Sequence, residues 1–304
     1  MRKDFRRVSG KAFGLCALLA GLSACGKQGP AEAQPDPLAD GIACLAEGNP
    51  DAAIQKLTEA IEARRDILRA KLHRGKAYLQ KGETQNAISD FAWVVRSDAK
   101  HAEAHYELGV AYSREGKQEL ALDEFSKALE SDPEMVKSYV NRSAVFCELK
   151  RLQEAVSDCD KAIRLDPYNA SVYVNRGIFL SQLGKRDLAL RDWEEAIRVN
   201  PQFPGGYFSR GVDHGAHGEY LEAAADLTKV LELRPEHAPA RQNRAAAYAA
   251  LGQHEKAVED LTEIIRHHPH AREALLERGK SYRALGQLQK AEDDERQALD
   301  VQGK

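Results

Sequence analysis

The sequence predicts an all-α fold in which about eight pairs of helices stack into a solenoid. Small residues return every 34 positions without an insertion, and apolar residues within each unit follow helical spacing. Prolines also recur at one fixed point of the period. A single helix pair of this size cannot bury its apolar face alone, so neighbouring pairs must stack to form a continuous core.

The 34-residue period is clearest at one alanine position, which is alanine in all eight units: Ala53, Ala87, Ala121, Ala155, Ala189, Ala223, Ala257 and Ala291. A second position holds only small residues: Gly41, Gly75, Gly109, Ser143, Gly177, Gly211, Ala245 and Gly279. A third holds Pro133, Pro167, Pro201, Pro235 and Pro269. Bulky residues recur at two further positions, illustrated by Tyr112 and Phe125.

Each unit reads as two amphipathic helices. In the fourth unit Tyr139, Arg142, Ser143 and Phe146 are spaced i, i+3, i+4, i+7 and therefore share one helical face. A glycine or lysine near residue 150, and at the equivalent place in other units, breaks the helix. The second helix then presents a face of small residues that allows two helix axes to approach closely, and proline follows where this helix cannot continue.

This pattern resembles the tetratricopeptide repeat, whose period is 34 residues. The resemblance covers residues 34–304, with repeats near 34–67, 68–101, 102–135, 136–169, 170–203, 204–237, 238–271 and 272–304. It implies a right-handed α-solenoid that occupies residues 38–304 and binds proteins or peptides on its concave face. The first repeat is degenerate, and the last places Glu295 where others have Phe, Trp or Leu, as expected of terminal caps.

The N-terminal segment reads as an export signal. Residues 1–11 carry five positive charges and one negative, and residues 12–24 are uncharged and largely apolar, which is typical of a secretory signal. The sequence Leu22-Ser23-Ala24-Cys25 resembles the lipobox of bacterial lipoproteins. The resemblance implies a signal peptide over 1–24, acyl chains such as palmitate on Cys25, and a membrane anchor. The alternative is an ordinary signal peptide with Cys25 incidental.

Residues 25–37 comprise the lipidated cysteine and a flexible Gly-, Pro- and Gln-rich tether. In Gram-negative lipoproteins an aspartate after the cysteine commonly favours the inner membrane. The resemblance together with Gly26 therefore implies the outer membrane, facing the periplasm, if the host is Gram-negative.

Composition excludes several classes of function. The chain has 44 basic and 47 acidic residues, which is not the footprint of a nucleic-acid-binding protein. No apolar run reaches the length needed to span a bilayer as a helix. Five cysteines in 304 residues do not make a disulfide scaffold, although an oxidising periplasm leaves a Cys147–Cys159 bond open.

A charged pattern predicts structural ion pairs. Arginine recurs one residue before the small position, and aspartate recurs on the second helix of the same units. In the third unit the two positions change together, to Leu108 and Glu124, which indicates that they touch. The predicted structural pairs in the three central units are Arg142 with Asp158, Arg176 with Asp192 and Arg210 with Asp226.

The sequence also predicts a peptide-binding groove on the concave face. The resemblance implies that another stripe of each first helix lines it, and the predicted groove residues are Tyr106, Val140, Asn141, Val174, Asn175, Phe208 and Asn243. An asparagine amide offers both a donor and an acceptor to the backbone of an extended peptide. The alternative is that these amides are satisfied within their own repeat. The basic set of a carboxylate clamp, used by chaperone-binding members, is absent from this sequence.

No catalytic arrangement, metal site or cofactor is predicted. His214 and His217 lie three residues apart, and His267, His268 and His270 flank a proline, but neither set has a convincing further ligand in the sequence. The predicted function is a non-catalytic adaptor or assembly scaffold at the bacterial envelope. The resemblance leaves pilus assembly, outer-membrane assembly and murein-enzyme organisation open. A metal-dependent hydrolase that uses the histidines, or a small-molecule binding module, are the alternatives from other classes.

Overall fold

The computed structural model describes residues 36–302, and this part of the chain forms sixteen α-helices without a β-strand. The first helices of the eight repeats are α1 Pro37–Ala46, α3 Ile67–Lys81, α5 Ala102–Arg114, α7 Val136–Glu148, α9 Ala170–Gln182, α11 Pro204–Ala216, α13 Ala238–Ala250 and α15 Arg272–Ala284. The second helices are α2 Pro50–Glu62, α4 Thr84–Ser97, α6 Gln118–Ser131, α8 Leu152–Leu165, α10 Arg186–Val199, α12 Tyr220–Leu233, α14 His254–His267 and α16 Leu288–Gln302.

Each helix packs only against helices of its own repeat and of the adjacent repeats. Every helix contacts the next one, and each first helix also contacts the first helix of the following repeat. This is the contact pattern of a solenoid, in which each repeat touches only adjacent repeats. The prediction of an all-α solenoid of eight helix pairs is therefore confirmed.

The turn between the two helices of a repeat requires a left-handed backbone conformation. Seven repeats place glycine there, with φ between 71° and 83° as at Gly116 and Gly82, and the fourth repeat places Lys150 at φ 61°. Glycine adopts this conformation without the steric cost that other residues carry. At the far end of the fifth repeat, Asn200 ends the second helix in an extended conformation before Pro201.

The core lies between the two helices of each repeat, where small residues face bulky ones. All eight alanines of the repeating position are fully buried. A Cβ built on Gly75 would lie 2.5 Å from Cε1 of Phe91, and one on Gly109 would lie 2.8 Å from the ring of Phe125. In the fourth repeat the bulky position is the smaller, fully buried Cys159, and the small position is serine. The two positions are therefore matched in size within each repeat.

The last repeat differs at this position. Glu295 replaces the buried apolar residue, and its carboxylate accepts hydrogen bonds of 2.8 and 2.6 Å from Arg283. Beyond it, Leu299 of α16 is 65% exposed. Among residues 36–302, none of the helices is both long enough and apolar enough to cross a bilayer.

Candidate functional site

The first helices together form one continuous surface. Each of the seven consecutive pairs of first helices, from α1 and α3 to α13 and α15, is in contact, whereas no consecutive pair of second helices is. An array that is packed more closely on one side curves toward that side, so the first helices line the concave face. This is the face that repeat solenoids offer to partners.

Six residues of each first helix from α3 to α15, here called the groove positions, lie toward this surface. In α9 they are Ser171, Val174, Asn175, Ile178, Ser181 and Gln182, and the other repeats place theirs at multiples of 34 residues from these. Side chains at groove positions contact those of the next first helix. Lys76 Nζ lies 2.6 Å from a carboxylate oxygen of Glu103, and Lys137 Nζ lies 4.1 Å from the ring centroid of Tyr106.

The three asparagines predicted to line the groove have three different environments. Asn141 donates from Nδ2 to the Tyr106 hydroxyl at 2.8 Å, so two predicted groove residues of consecutive repeats satisfy each other. Asn243 is exposed and donates to the carbonyl of Pro239 in its own helix at 2.8 Å. Asn175 is half-buried and makes no side-chain hydrogen bond within the described part of the chain. Its amide is therefore the most available of the three.

The apolar groove residues also differ in their accessibility. Val140 and Phe208 are half-buried, while Val174 is only 7% exposed and its carbonyl accepts a hydrogen bond from the Trp193 indole at 3.4 Å. The Phe208 ring packs against the His237 ring with centroids 4.9 Å apart. Val174 is thus mainly a core residue, and Phe208 presents one side to the groove.

A cleft of about 360 Å³ opens between α9 and α11. Its walls are Ile178, Trp193, Phe208, Val212 and Ala216, and its polar groups are Ser181, Gln182, Ser209, Asp213 and His217. Most of these residues occupy groove positions of the fifth and sixth repeats. The cleft is therefore part of the concave surface.

The six ion-pair residues meet as three bidentate pairs. Arg142 donates from Nε and Nη2 to the two carboxylate oxygens of Asp158, both at 2.7 Å. Arg176 with Asp192 and Arg210 with Asp226 repeat this geometry at 2.7–2.8 Å. The three aspartates are buried, and hydrogen bonding to Asp192 raises the pKa of Arg176 above its ordinary value. Fork-shaped pairs of this kind are among the stronger charge-assisted hydrogen bonds.

Each arginine also reaches the preceding repeat, which the sequence pattern alone did not reveal. The third guanidinium nitrogen, Nη1, of Arg142 donates to Ser126 Oγ at 2.9 Å, and that of Arg176 donates to Asp160 at 2.6 Å. The acceptor lies 16 residues before the arginine and the aspartate 16 residues after it. Each arginine therefore joins three helices across a repeat boundary, and the 34-residue register of these acceptors is the signal that locates them.

The third repeat uses a different buried pair. Leu108 replaces the arginine, and Glu124 is bonded instead by His105 Nδ1 at 2.6 Å, one helical turn earlier. The other ring nitrogen, Nε2, lies 3.1 Å from the carbonyl oxygen of Ala99. In the second repeat, the position that would supply the acceptor for an arginine at 108 is Ala92, which has no polar side chain. The arginine, its aspartate and its acceptor in the preceding repeat are therefore all replaced together.

A charged network also lies at the junction of the fifth and sixth repeats. Arg186 donates to Asp213 at 2.6 Å and to both oxygens of Glu219 at 2.9 and 2.5 Å, and His214 contacts Glu219. His217 Nδ1 lies 2.8 Å from the carbonyl oxygen of Asp213. The turn after α11 brings Glu219 back onto His214, a contact that the sequence analysis did not identify. The sequence signal for this network is Asp213, at a position where the other repeats have an apolar residue or serine.

These carboxylates are engaged by Arg186 rather than arranged around an ion. Hydrogen bonds from Arg186 and His214 lower the pKa of Glu219 to about 2. Within residues 36–302, no group of three His, Cys, Asp or Glu side chains is arranged to hold a metal ion. Nothing in this part of the chain supports the hydrolase alternative.

The cysteines of the described region are free thiols. Cys147 occupies a groove position, whereas Cys159 is fully buried between α7 and α8. Burial raises the pKa of the Cys159 thiol to about 12. The predicted signal peptide, the predicted acylation site Cys25 and most of the predicted tether lie outside the described residues, and α1 begins at Pro37.

Comparison with protein families and solved structures agrees with this geometry. A family model described as tetratricopeptide repeat matches residues 38–92, 72–136, 116–170, 208–261 and 243–302, and a second model with the same description matches 170–203. Comparison with curated proteins gives no significant match.

Several solved structures share the fold. PilF of Pseudomonas aeruginosa is 24% identical over 72% of this chain and 97% of its own, with a TM-score of 0.60. A tetratricopeptide repeat protein of Parabacteroides merdae is 19% identical over 77% of this chain and 93% of its own, with a TM-score of 0.59. MamA is 24% identical over 53% of this chain and 94% of its own, with a TM-score of 0.50. From α1 to α16, repeat period, helix packing and family models agree, and the chain belongs to the tetratricopeptide repeat family.

Proposed function

We propose that this protein is a non-catalytic adaptor or assembly scaffold that binds an extended segment of a partner protein along its groove positions. The observation that carries the proposal is the unbroken contact between consecutive first helices, which gives one side of the solenoid a regular row of equivalent side chains. Proteins of this family typically bind other proteins or peptides. A row of equivalent side chains at a fixed spacing suits an extended peptide, because the backbone of such a peptide presents its N–H and C=O groups at regular intervals.

Hydrogen bonding to the partner backbone is assigned to Asn175, Ser209 and Asn243. Asn175 has no side-chain partner within the described chain, and the Asn243 amide is exposed with its oxygen unused. Asn141 contributes less, because its amide already donates to Tyr106. An amide or hydroxyl at each step can donate to or accept from a peptide without fixing its sequence.

The experiment is capture of partners from envelope extract by the full chain and by two matched triple variants. The groove variant carries Asn175→Ala, Ser209→Ala and Asn243→Ala, and the control carries Gln153→Ala, Asp187→Ala and Glu255→Ala at exposed positions of second helices. We expect the groove variant to lose the captured proteins while the control keeps them. Equal capture by both variants would exclude the groove. Circular dichroism at 222 nm verifies that both remain helical.

We further propose that Cys25 carries acyl chains that hold the solenoid at the bacterial envelope, on the periplasmic side of the outer membrane in a Gram-negative host. The support is the basic segment, the apolar stretch and the lipobox-like Leu22-Ser23-Ala24-Cys25. Several acyl chains bind a bilayer stably where one does not. In the native host, Cys25→Ser should move the protein from the membrane to the soluble fraction and abolish labelling by a palmitate analogue. An unchanged distribution would contradict the anchor.

A further inference from the structure

The groove positions change character along the solenoid. Among the seven first helices from α3 to α15, four carry charged groove residues, for example Lys76 in α3 and Glu103 and Glu107 in α5. The groove positions of α9, α11 and α13 carry none. This uncharged stretch, here called the neutral groove, spans three consecutive repeats in a chain of which 30% of residues are charged.

In α3, α5 and α7, charged groove residues already contact one another or an aromatic ring. Lys76 is paired with Glu103 at 2.6 Å and lies 3.8 Å from Glu107, while Lys137 sits over the Tyr106 ring. Tyr106 in turn accepts the hydrogen bond from Asn141. A partner that bound there would have to displace these contacts before making its own.

The neutral groove contains the cleft between α9 and α11. Apolar side chains from three helices meet there, namely Ile178 from α9, Trp193 from α10, and Phe208 and Val212 from α11. Val212 is 37% exposed although it is apolar. The acid in the wall, Asp213, is buried and bonded to Arg186, so it offers no net attraction to a cationic ligand. The other polar groups at the cleft are the uncharged Ser181, Gln182 and Ser209, and His217, whose Nδ1 lies 2.8 Å from the carbonyl oxygen of Asp213.

We propose that the neutral groove binds an uncharged segment of a partner protein whose large apolar side chain, aromatic or branched aliphatic, inserts into the cleft between α9 and α11. This specifies the ligand class of the proposed peptide groove and rests on that function. A charged side chain placed in the cleft would lose hydration, and the carboxylate in the wall, Asp213, is already engaged by Arg186 and His217. An apolar one would bury its surface together with Val212 and Ile178.

The test uses a set of defined peptides and the fluorescence of Trp193, which lines the cleft. The full chain with Trp93→Phe leaves Trp193 as its single tryptophan. The probes are nine-residue peptides of Gly, Ser and Asn, acetylated and amidated, with Phe, Ala, Lys or Asp at the centre. We expect saturable changes in emission with the Phe peptide, at about tenfold or more lower concentration than with the Ala peptide. The Lys and Asp peptides should bind more weakly than the Ala peptide.

A matched pair of variants locates the binding. Val212→Lys places a cation in the cleft, and Ala144→Lys places one at the equivalent position of the fourth repeat. The fold accepts lysine at this position, because Lys76 and Lys280 occupy it in the second and eighth repeats. We expect Val212→Lys to abolish the response to the Phe peptide and Ala144→Lys to leave it unchanged.

The proposal would be overturned by no response to millimolar Phe peptide, by equal affinities for all four peptides, or by equal effects of the two lysine variants. Partner capture that still depends on Asn175, Ser209 and Asn243 would then show that the groove functions with another ligand chemistry. Loss of both results would refute the proposed function as well.

Discussion

Replacing Arg176 with alanine removes the guanidinium that joins α8, α9 and α10. It leaves the Asp192 carboxylate, whose side chain is only 8% exposed, without the two hydrogen bonds of 2.8 and 2.7 Å that it accepts. Removing one partner of a buried ion pair costs about 3–5 kcal/mol, because the other charge stays buried. The Arg176 side chain is 22% exposed, so some water reaches the pair and we expect the lower end, about 3 kcal/mol.

The assay is urea unfolding of the full chain with Trp93→Phe, followed by the emission of Trp193. Trp193 adjoins Asp192 on α10, so it reports the repeat that is changed even where a solenoid unfolds in parts. Lys229→Ala is the control, because the Lys229–Glu232 pair is exposed to water and should contribute little to stability.

A double variant separates the cost of leaving the Asp192 carboxylate buried without a partner from the cost of losing the packing of the Arg176 side chain. Arg176→Leu with Asp192→Leu removes both charges, and we expect it to be more stable than Arg176→Ala. The reasoning would be refuted if Arg176→Ala unfolded within about 0.5 kcal/mol of the parent. It would also fail if the double variant were no more stable than the single one.

Three further predictions follow from local geometry. Gly75→Ala should destabilise the protein by about 1–3 kcal/mol in urea unfolding, because its Cβ would meet the Phe91 ring at 2.5 Å; Gly279→Ala, whose nearest neighbours lie at 3.4 Å or beyond, should not. Lys150→Gly should stabilise by about 0.5–1 kcal/mol, since lysine there has φ 61°, and an unchanged or lower urea midpoint would contradict this. In pulsed alkylation at pH 8 with mass spectrometry, Cys159 should react much more slowly than Cys147, because burial excludes the reagent and raises the Cys159 pKa to about 12. Equal labelling in folded protein would contradict the buried thiol.

The sequence was sufficient to predict the fold because one structural unit is repeated eight times. A side chain in one repeat, such as Ala53 in the core, has seven equivalents that reveal its environment. The helix pairs and the break between helices near residue 150 could both be predicted in this way. The joint change to Leu108 and Glu124 likewise indicated a contact between two helices.

The contacts that the sequence did not predict are those that do not recur from repeat to repeat. Arg186, Asp213 and Glu219 occur at the required positions in one repeat boundary only, so no equivalent set identified them as a network. His105 replaced a missing arginine from one helical turn away, which periodicity does not detect. The Asn141 amide was available by its position but is occupied by Tyr106 from the preceding repeat. Such contacts depend on how two repeats are oriented and on side-chain length, and both require coordinates.

The central claim, that the concave face binds the partner, is tested most directly by photo-crosslinking in the native host. Benzoylphenylalanine is introduced in place of Ser209, at a groove position of α11, or in place of Asp187, an exposed residue of the second helix α10. The groove account predicts that irradiation joins a discrete partner protein to position 209 and not to position 187. Crosslinking at 187 with none at 209 would contradict it.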